Sequence, residues 1–284
     1  MRGLHGIHKV LDEHGEIVFP PVKPRTPDRR IGVWGFGGGT ALSAAWRITE
    51  RYSEDIDGLL FLDNPKLSKN AIEKACGQVA HAVCDACEAV HHETHGRNVK
   101  VTRIDLDGHS GYLKMETVPQ HGFDAAFDAA VVPRVVHSFI GQHAADLLEE
   151  FPELGGFSVP CVRPMITAIN KLDALNRRAA RDDLEGLVAR GRDLYDLWAI
   201  TQHRQHADGV RNSVADLWEA AAGQIREPVA RPNGGYAHSA AFRLGTAAND
   251  ALRDGYTQAV EATVWGRVPT FDEAVDAARS LDQA

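Results

Sequence analysis

Asp55 and Asp57 stand two positions apart at the head of an apolar run, RYSEDIDGLLFL, residues 51–62. Residues i and i+2 of a strand project to the same face, so this pair can present two carboxylates side by side. Placing such charges beside a core without a partner is costly. Carboxylates paired in this way bind divalent cations. Two such ions about 3.5–4 Å apart clamp the attacking and leaving oxygens of an in-line displacement at phosphorus. The competing reading is a surface loop with both aspartates solvated. A third carboxylate would complete the set, and Glu116, in YLKMETV (112–118), is expected on a strand face opposite Leu113, Met115 and Thr117. Asp105 and Asp107 are rivals, but they flank a turn, where aspartate has an ordinary structural use.

Upstream, GFGGGTAL (35–42) ends a short apolar run with consecutive glycines. A dinucleotide fingerprint starting at Gly35 requires glycine at 40, where Thr40 stands, and a P-loop requires a lysine that is absent. The remaining nucleotide-binding reading is a nucleotidyltransferase turn. Gly38, Gly39 and Thr40 open a helix whose backbone N–H groups face a phosphate, and the strand that follows carries Asp-x-Asp. One metal ion then activates the attacking hydroxyl, and the other holds the triphosphate and the leaving pyrophosphate. A glycine C-cap running into a loop is the structural alternative.

The elements that must position these groups follow from periodicity and punctuation. Strands are expected at 31–36 and 56–62, and a hairpin at 99–106 and 111–118 around DGHSG. A further strand at 130–138 contains Pro133, which places it at a sheet edge. Helices are expected at 40–50 and 67–92. From about residue 139 helical periodicity dominates, at 139–150, 163–180, 192–204, 211–224, 238–262 and 270–281, with 226–237 as a loop. The last helix opens on a capping box, Thr270 with Glu273. The expected organisation is an extended arm over 1–30, an α/β domain over 31–145 and an all-helical domain over 146–284. The arm carries Lys23, Arg25, Arg29 and Arg30, read as a solvated arm or as phosphate contacts.

The chain has 284 residues, 44% hydrophobic and 25% charged, enough to bury a sizeable core. A net charge of −8 argues against a broad basic surface for nucleic acid. A local groove would fall to Arg177, Arg178, Arg181, Arg190 and Arg192, which are interleaved with Asp173, Asp182, Asp183 and Glu185. Three of the four cysteines, Cys76, Cys84 and Cys87, cluster on one expected helix rather than in a disulfide framework, which fits a reducing compartment. MRGLHGIHKVLDEHGE lacks an apolar targeting core, and no window approaches the roughly 18 apolar residues of a membrane span. The expected location is cytoplasmic. Cys84, Cys87, His91 and His95 have zinc-like spacing. On one helix face they cannot surround an ion, so a buried face using cysteine as a small apolar residue is expected there instead.

Four motifs in order extend this reading. GGTAL (38–42), RYSEDID (51–57), INKLDALNRR (169–178) and RGRDLYDL (190–197) together resemble the AbiEii/MenT-type nucleotidyltransferase toxins. The resemblance covers roughly residues 30–200. It implies an α+β fold: a polymerase-β-like nucleotidyltransferase mixed sheet flanked by helices, followed by an all-helical C-terminal domain. It implies transfer of a nucleoside monophosphate from an NTP to RNA, with the 3′ end of tRNA as acceptor. The reaction would use Mg2+ or Mn2+ and block translation, and a cognate antitoxin would accompany the protein. By the same resemblance Gly38, Gly39 and Thr40 are the phosphate-side turn, Asp55 and Asp57 the metal carboxylates, Lys171 the triphosphate lysine and Asp193 the aspartate of the second-domain motif. Asp196, one turn on, shares or replaces Asp193. Arg51 contacts phosphate or pairs with Asp55 or Asp57. Ser53 contacts the triphosphate, and phosphorylating it would add negative charge beside the carboxylates. The alternatives are a small-molecule or protein acceptor, or a protein that binds NTP without transfer.

Overall fold

The computed structural model describes residues 16–19, 29–53, 55–62, 68–86, 91–95, 100–105, 112–120, 130–136, 156–222 and 231–282. The fold is α+β. Eight strands form one mixed sheet: β1 Glu16–Phe19, β2 Arg29–Gly37, β3 Ile56–Leu62, β4 His91–His95, β5 Lys100–Asp105, β6 Tyr112–Gln120, β7 Val131–Val136 and β8 Phe157–Val162. Their order is β4-β5-β6-β3-β2-β8-β7, with β1 added against β2. The β3–β6 and β2–β8 pairs are parallel, and the others antiparallel. Pro133 does lie on an edge strand, where its missing N–H costs no ladder bond.

Helix α1, Gly38–Ala44, follows β2 directly, and α2, Lys69–Ala86, follows β3. The core on this side is built from Trp34, Phe36, Ile56, Leu60, Leu62, Ile104 and Met115 of the strands with Ala75, Cys76, Val79 and Cys84 of α2. Cys76 and Cys84 thus serve as small apolar residues. Cys161 is buried too, and burial pushes its thiol up to about 12 against the opposing pull of Arg134.

The helical part comprises α3 Pro164–Ala180, α4 Leu184–Val188, α5 Gly191–Thr201, α6 Arg204–Ala222, α7 Ala247–Thr263 and α8 Phe271–Ser280. The capping box of α8 is present, with Thr270 and Glu273 bonding reciprocally. The chain divides into two compact units, one of residues 1–46 with 54–163, the other of 47–53 with 164–284. The seam therefore falls later than 145/146. Residues 157–162 form a sheet strand, and the short segment 47–53 belongs to the helical unit.

Other differences have local causes. The expected helix 40–50 stops at Ala44, and Arg47 takes a positive φ of 55°. The expected helix 67–92 ends at Ala86, and His91–His95 pairs antiparallel with β5. That strand removes the single helix face on which Cys84, Cys87, His91 and His95 were to lie. Within the expected arm, Glu16–Phe19 is a strand on β2. The helix expected at 139–150 lies outside the described residues.

Candidate active site

Asp57 is placed by strand register. Gly37 faces Asp57 across the β2–β3 ladder, and Glu116 faces Asp57 across the β3–β6 ladder. Cross-ladder partners share a face of the sheet. Asp57 and Glu116 therefore project together, away from the face of Trp34, Phe36, Leu60 and Met115. Gly58 explains the packing beneath. A β-carbon there would lie 2.3 Å from the Trp34 indole, and the indole Nε1 in turn donates to Thr117 Oγ1 at 3.4 Å. The residue after Asp57 must be glycine for Trp34 to cross the strand.

Gly38 closes the other side. Its φ is +67°, the left-handed region that glycine enters without steric penalty. A β-carbon at 38 would stand 1.9 Å from Asp57 Oδ2, so the bare Cα lies directly against the carboxylate. Thr40 Oγ1 donates to the Asp55 carbonyl. The glycine turn and the aspartate segment are thus joined at two points.

Lys114 was not anticipated from the sequence. Its Nζ lies 2.6 Å from Glu116 Oε1 and 3.3 Å from Asp55 Oδ2. Burial alone would lower the lysine's pKa, but Glu116 and Asp55 outweigh it and hold the ammonium above its ordinary value. The signal was the alternation in LKMET, which puts Lys114 on the face of Glu116. Lysine on a half-exposed strand ordinarily reads as solvated.

Among the described residues, no three His, Cys, Asp or Glu side chains are drawn together as a ready metal cage. Asp55 and Glu116 nonetheless already share one cation, the Lys114 ammonium, and Asp57 is laddered to Glu116. The donors are carboxylate oxygens, the ligands that hard divalent ions such as Mg2+ take. In chemical type, though not as a gathered cage, these oxygens suit such an ion.

A second cluster lies within the helical unit. Arg51 donates from Nε and Nη2 to the two oxygens of Asp196 at 2.6 and 2.7 Å, a bidentate pair. Lys171, in α3, pairs with Asp196 Oδ2 at 2.9 Å and with Asp193 Oδ1. Arg190 Nη1 approaches Asp193 Oδ2 at 3.2 Å. Asp193 and Asp196 sit one turn apart on α5, so both reach the same lysine. Arg51, Lys171, Asp193 and Asp196 are all buried. Burial would push the Asp196 carboxyl up, but Arg51 and Lys171 outweigh it and hold it at about 2. Asp193 is likewise lowered, burial notwithstanding, by Lys171 and Arg190. Lys171 is raised, because Asp193 and Asp196 overcome the opposing effect of burial.

Arg51, expected to meet phosphate or to pair with Asp55 or Asp57, is thus held by Asp196, and Asp196 is the residue the sequence reading undervalued. Segment 47–53 is further fixed by an Arg51–Val264 bridge. Tyr52 N donates to Thr263 O and Trp265 N to Glu50 O, both at 3.0 Å. Ser53 ends this strap, half-buried. Of the arginines expected to form a basic groove, Arg177 pairs with Asp173, Arg178 with Asp183 and Arg190 with Asp193. They neutralise acids of their own chain.

No helix among the described residues is long and apolar enough to cross a membrane. A family model described as "Nucleotidyl transferase AbiEii toxin, Type IV TA system" matches residues 33–277. No curated protein matches the chain.

Proposed function

The chain belongs to the AbiEii nucleotidyl transferase toxin family, and on that premise we propose that it transfers a nucleoside monophosphate from an NTP to the 3′ end of tRNA, blocking translation. Family membership makes it a nucleotidyltransferase with an NTP substrate and an antitoxin partner. The finer assignment of metal, acceptor and residues is ours.

One observation carries the residue assignment: Asp57 lies against the bare Cα of Gly38 on one side and is laddered to Glu116 on the other. Asp55, Asp57 and Glu116 would hold Mg2+ or Mn2+. A bound divalent ion supplies charge stabilisation for the phosphoryl oxygens and the leaving pyrophosphate. Gly38, Gly39 and Thr40 form the phosphate-side turn, and Ser53 contacts the triphosphate. Lys171 and Asp193 are assigned to the reaction by the family motif they match; within the helical unit Asp193 and Asp196 keep the Lys171 ammonium charged despite its burial. Arg51 positions the strap that leads into Ser53 and Asp55.

A label-transfer assay tests this. Purified protein is given each α-³²P-NTP with Mg2+ and total RNA, beside Asp57→Ala. Label in a tRNA-sized band, absent with the variant, supports the reading, and the best NTP identifies the base. A second acceptor class has an observation in its favour: net charge −8 and self-paired arginines suit a small molecule or protein better than a polyanion. Label entering protein or small molecules of an extract, with none in RNA, replaces the tRNA assignment by that one.

A further inference from the structure

Two cation-binding clusters among the described residues differ in how firmly the cation is held. Asp196 is fully buried and grips Arg51 with both oxygens. Lys114 is 35% exposed, and its partners Asp55 and Glu116 are 33% and 29% exposed. Ion pairs with this much solvent access contribute little and exchange readily. The lysine also donates to carboxylates from two different segments, the run into β3 and strand β6. It thus occupies the point where those oxygens converge.

We propose that Lys114 is the resident counter-cation of the carboxylate cluster, holding Asp55 and Glu116 together and leaving when a divalent ion binds. The proposal rests on the assignment of Asp55, Asp57 and Glu116 as metal carboxylates. Its physical basis is mutual exclusion. Asp55 and Glu116 repel each other unless a positive charge stands between them, and Lys114 supplies one. A divalent ion in the same place brings two positive charges to the same oxygens and repels the ammonium. Lys114 therefore serves two ends: it keeps the carboxylates gathered in the absence of metal, and it weakens metal binding by competing for them. Lys114 is a positioning residue in this account.

The test is Mn2+ binding without nucleotide, followed by electron paramagnetic resonance of the free ion, on the full-length chain. Wild type is compared with Lys114→Met, Lys114→Gln, Lys114→Arg and Asp57→Ala, with circular dichroism as a check on folding. Removing the competing charge is expected to tighten Mn2+ binding about two- to fivefold in Lys114→Met and Lys114→Gln, while Lys114→Arg stays near wild type. Without metal the two neutral variants melt slightly below wild type, by no more than an exposed ion pair contributes, and Mn2+ removes the difference. Two folded neutral variants that bind Mn2+ no more tightly than wild type would overturn the proposal. If in that case Asp57→Ala still abolishes binding, the metal site stands and only the role of Lys114 fails. If Asp57→Ala binds as wild type does, or no protein binds Mn2+, the metal assignment fails and the proposal with it.

Discussion

Gly38 meets two constraints at once: a left-handed backbone and the carboxylate of Asp57 packed on its Cα. Gly38→Ala is expected to lower stability by about 1–3 kcal/mol in urea unfolding and to displace Asp57, depressing nucleotidyl transfer. Unchanged stability and activity would contradict the placement of Asp57. Gly58→Ala meets the Trp34 ring instead and is expected to cost about 1–3 kcal/mol by overpacking; the same urea series, read by tryptophan fluorescence, measures it. Ser53→Glu, imitating phosphorylation, is expected to reduce NTP binding and transfer, whereas Ser53→Ala keeps the fold. Full transfer by Ser53→Glu would count against a role at the triphosphate. These residues differ in how far the sequence exposed them. Asp55, Asp57 and the glycine turn were legible because spacing alone assigns them chemistry. Lys114 was not, because a single lysine in an alternating strand looks solvated until the register of β3 and β6 is known.

Secondary structure sets the strap and the helices that hold it. Arg51 and Asp196 are 145 residues apart in sequence, and only the fold brings them together. Removing one partner of a buried pair leaves an uncompensated charge, so Asp196→Ala is expected to destabilise by about 3–5 kcal/mol, read as a lower urea midpoint. The sign of the pH dependence follows from the depressed carboxyls. Asp196 titrates at about 2 in the folded chain against an ordinary value of 3.8, and Asp193 is shifted in the same direction. The unfolded chain therefore takes up protons first as pH falls. Stability is fully present above the ordinary value and is lost between pH about 4 and 2. Urea midpoints across that window should fall steeply for wild type and more shallowly for Asp196→Ala. Strand β3 was legible to its ends, since IDGLLFL is an apolar run of strand length bounded by aspartates. β8 was not, because a short apolar run containing Pro160 gives a weak strand signal. β4, HHETH, was hidden by its polarity; its strand character comes from pairing with β5.

As a whole the molecule is acidic, with net charge −8, and three arginines that looked available for RNA are committed to internal ion pairs. Binding of tRNA would then rest on a small local set of cations, and the rate of tRNA labelling should fall as salt rises from about 50 to 200 mM. A rate independent of salt would point to an acceptor that is not a polyanion. An α/β half followed by a helical half was legible from the change in periodicity, and the α+β fold class from the resemblance carried by the four motifs. The assignment of 47–53 to the helical unit was not, because nothing local in the sequence RITERYS distinguishes a strap from a loop. The central claim is that the carboxylates on β3 and β6 carry out NTP-dependent transfer. Its most direct test is pyrophosphate release from NTP with Mg2+ and acceptor RNA by wild type and Asp57→Asn, the latter isosteric and checked for folding. The account predicts release by wild type and a loss of at least about a thousandfold in the variant, the scale of removing a transition-state charge contact. Release by folded Asp57→Asn at the wild-type rate would contradict it.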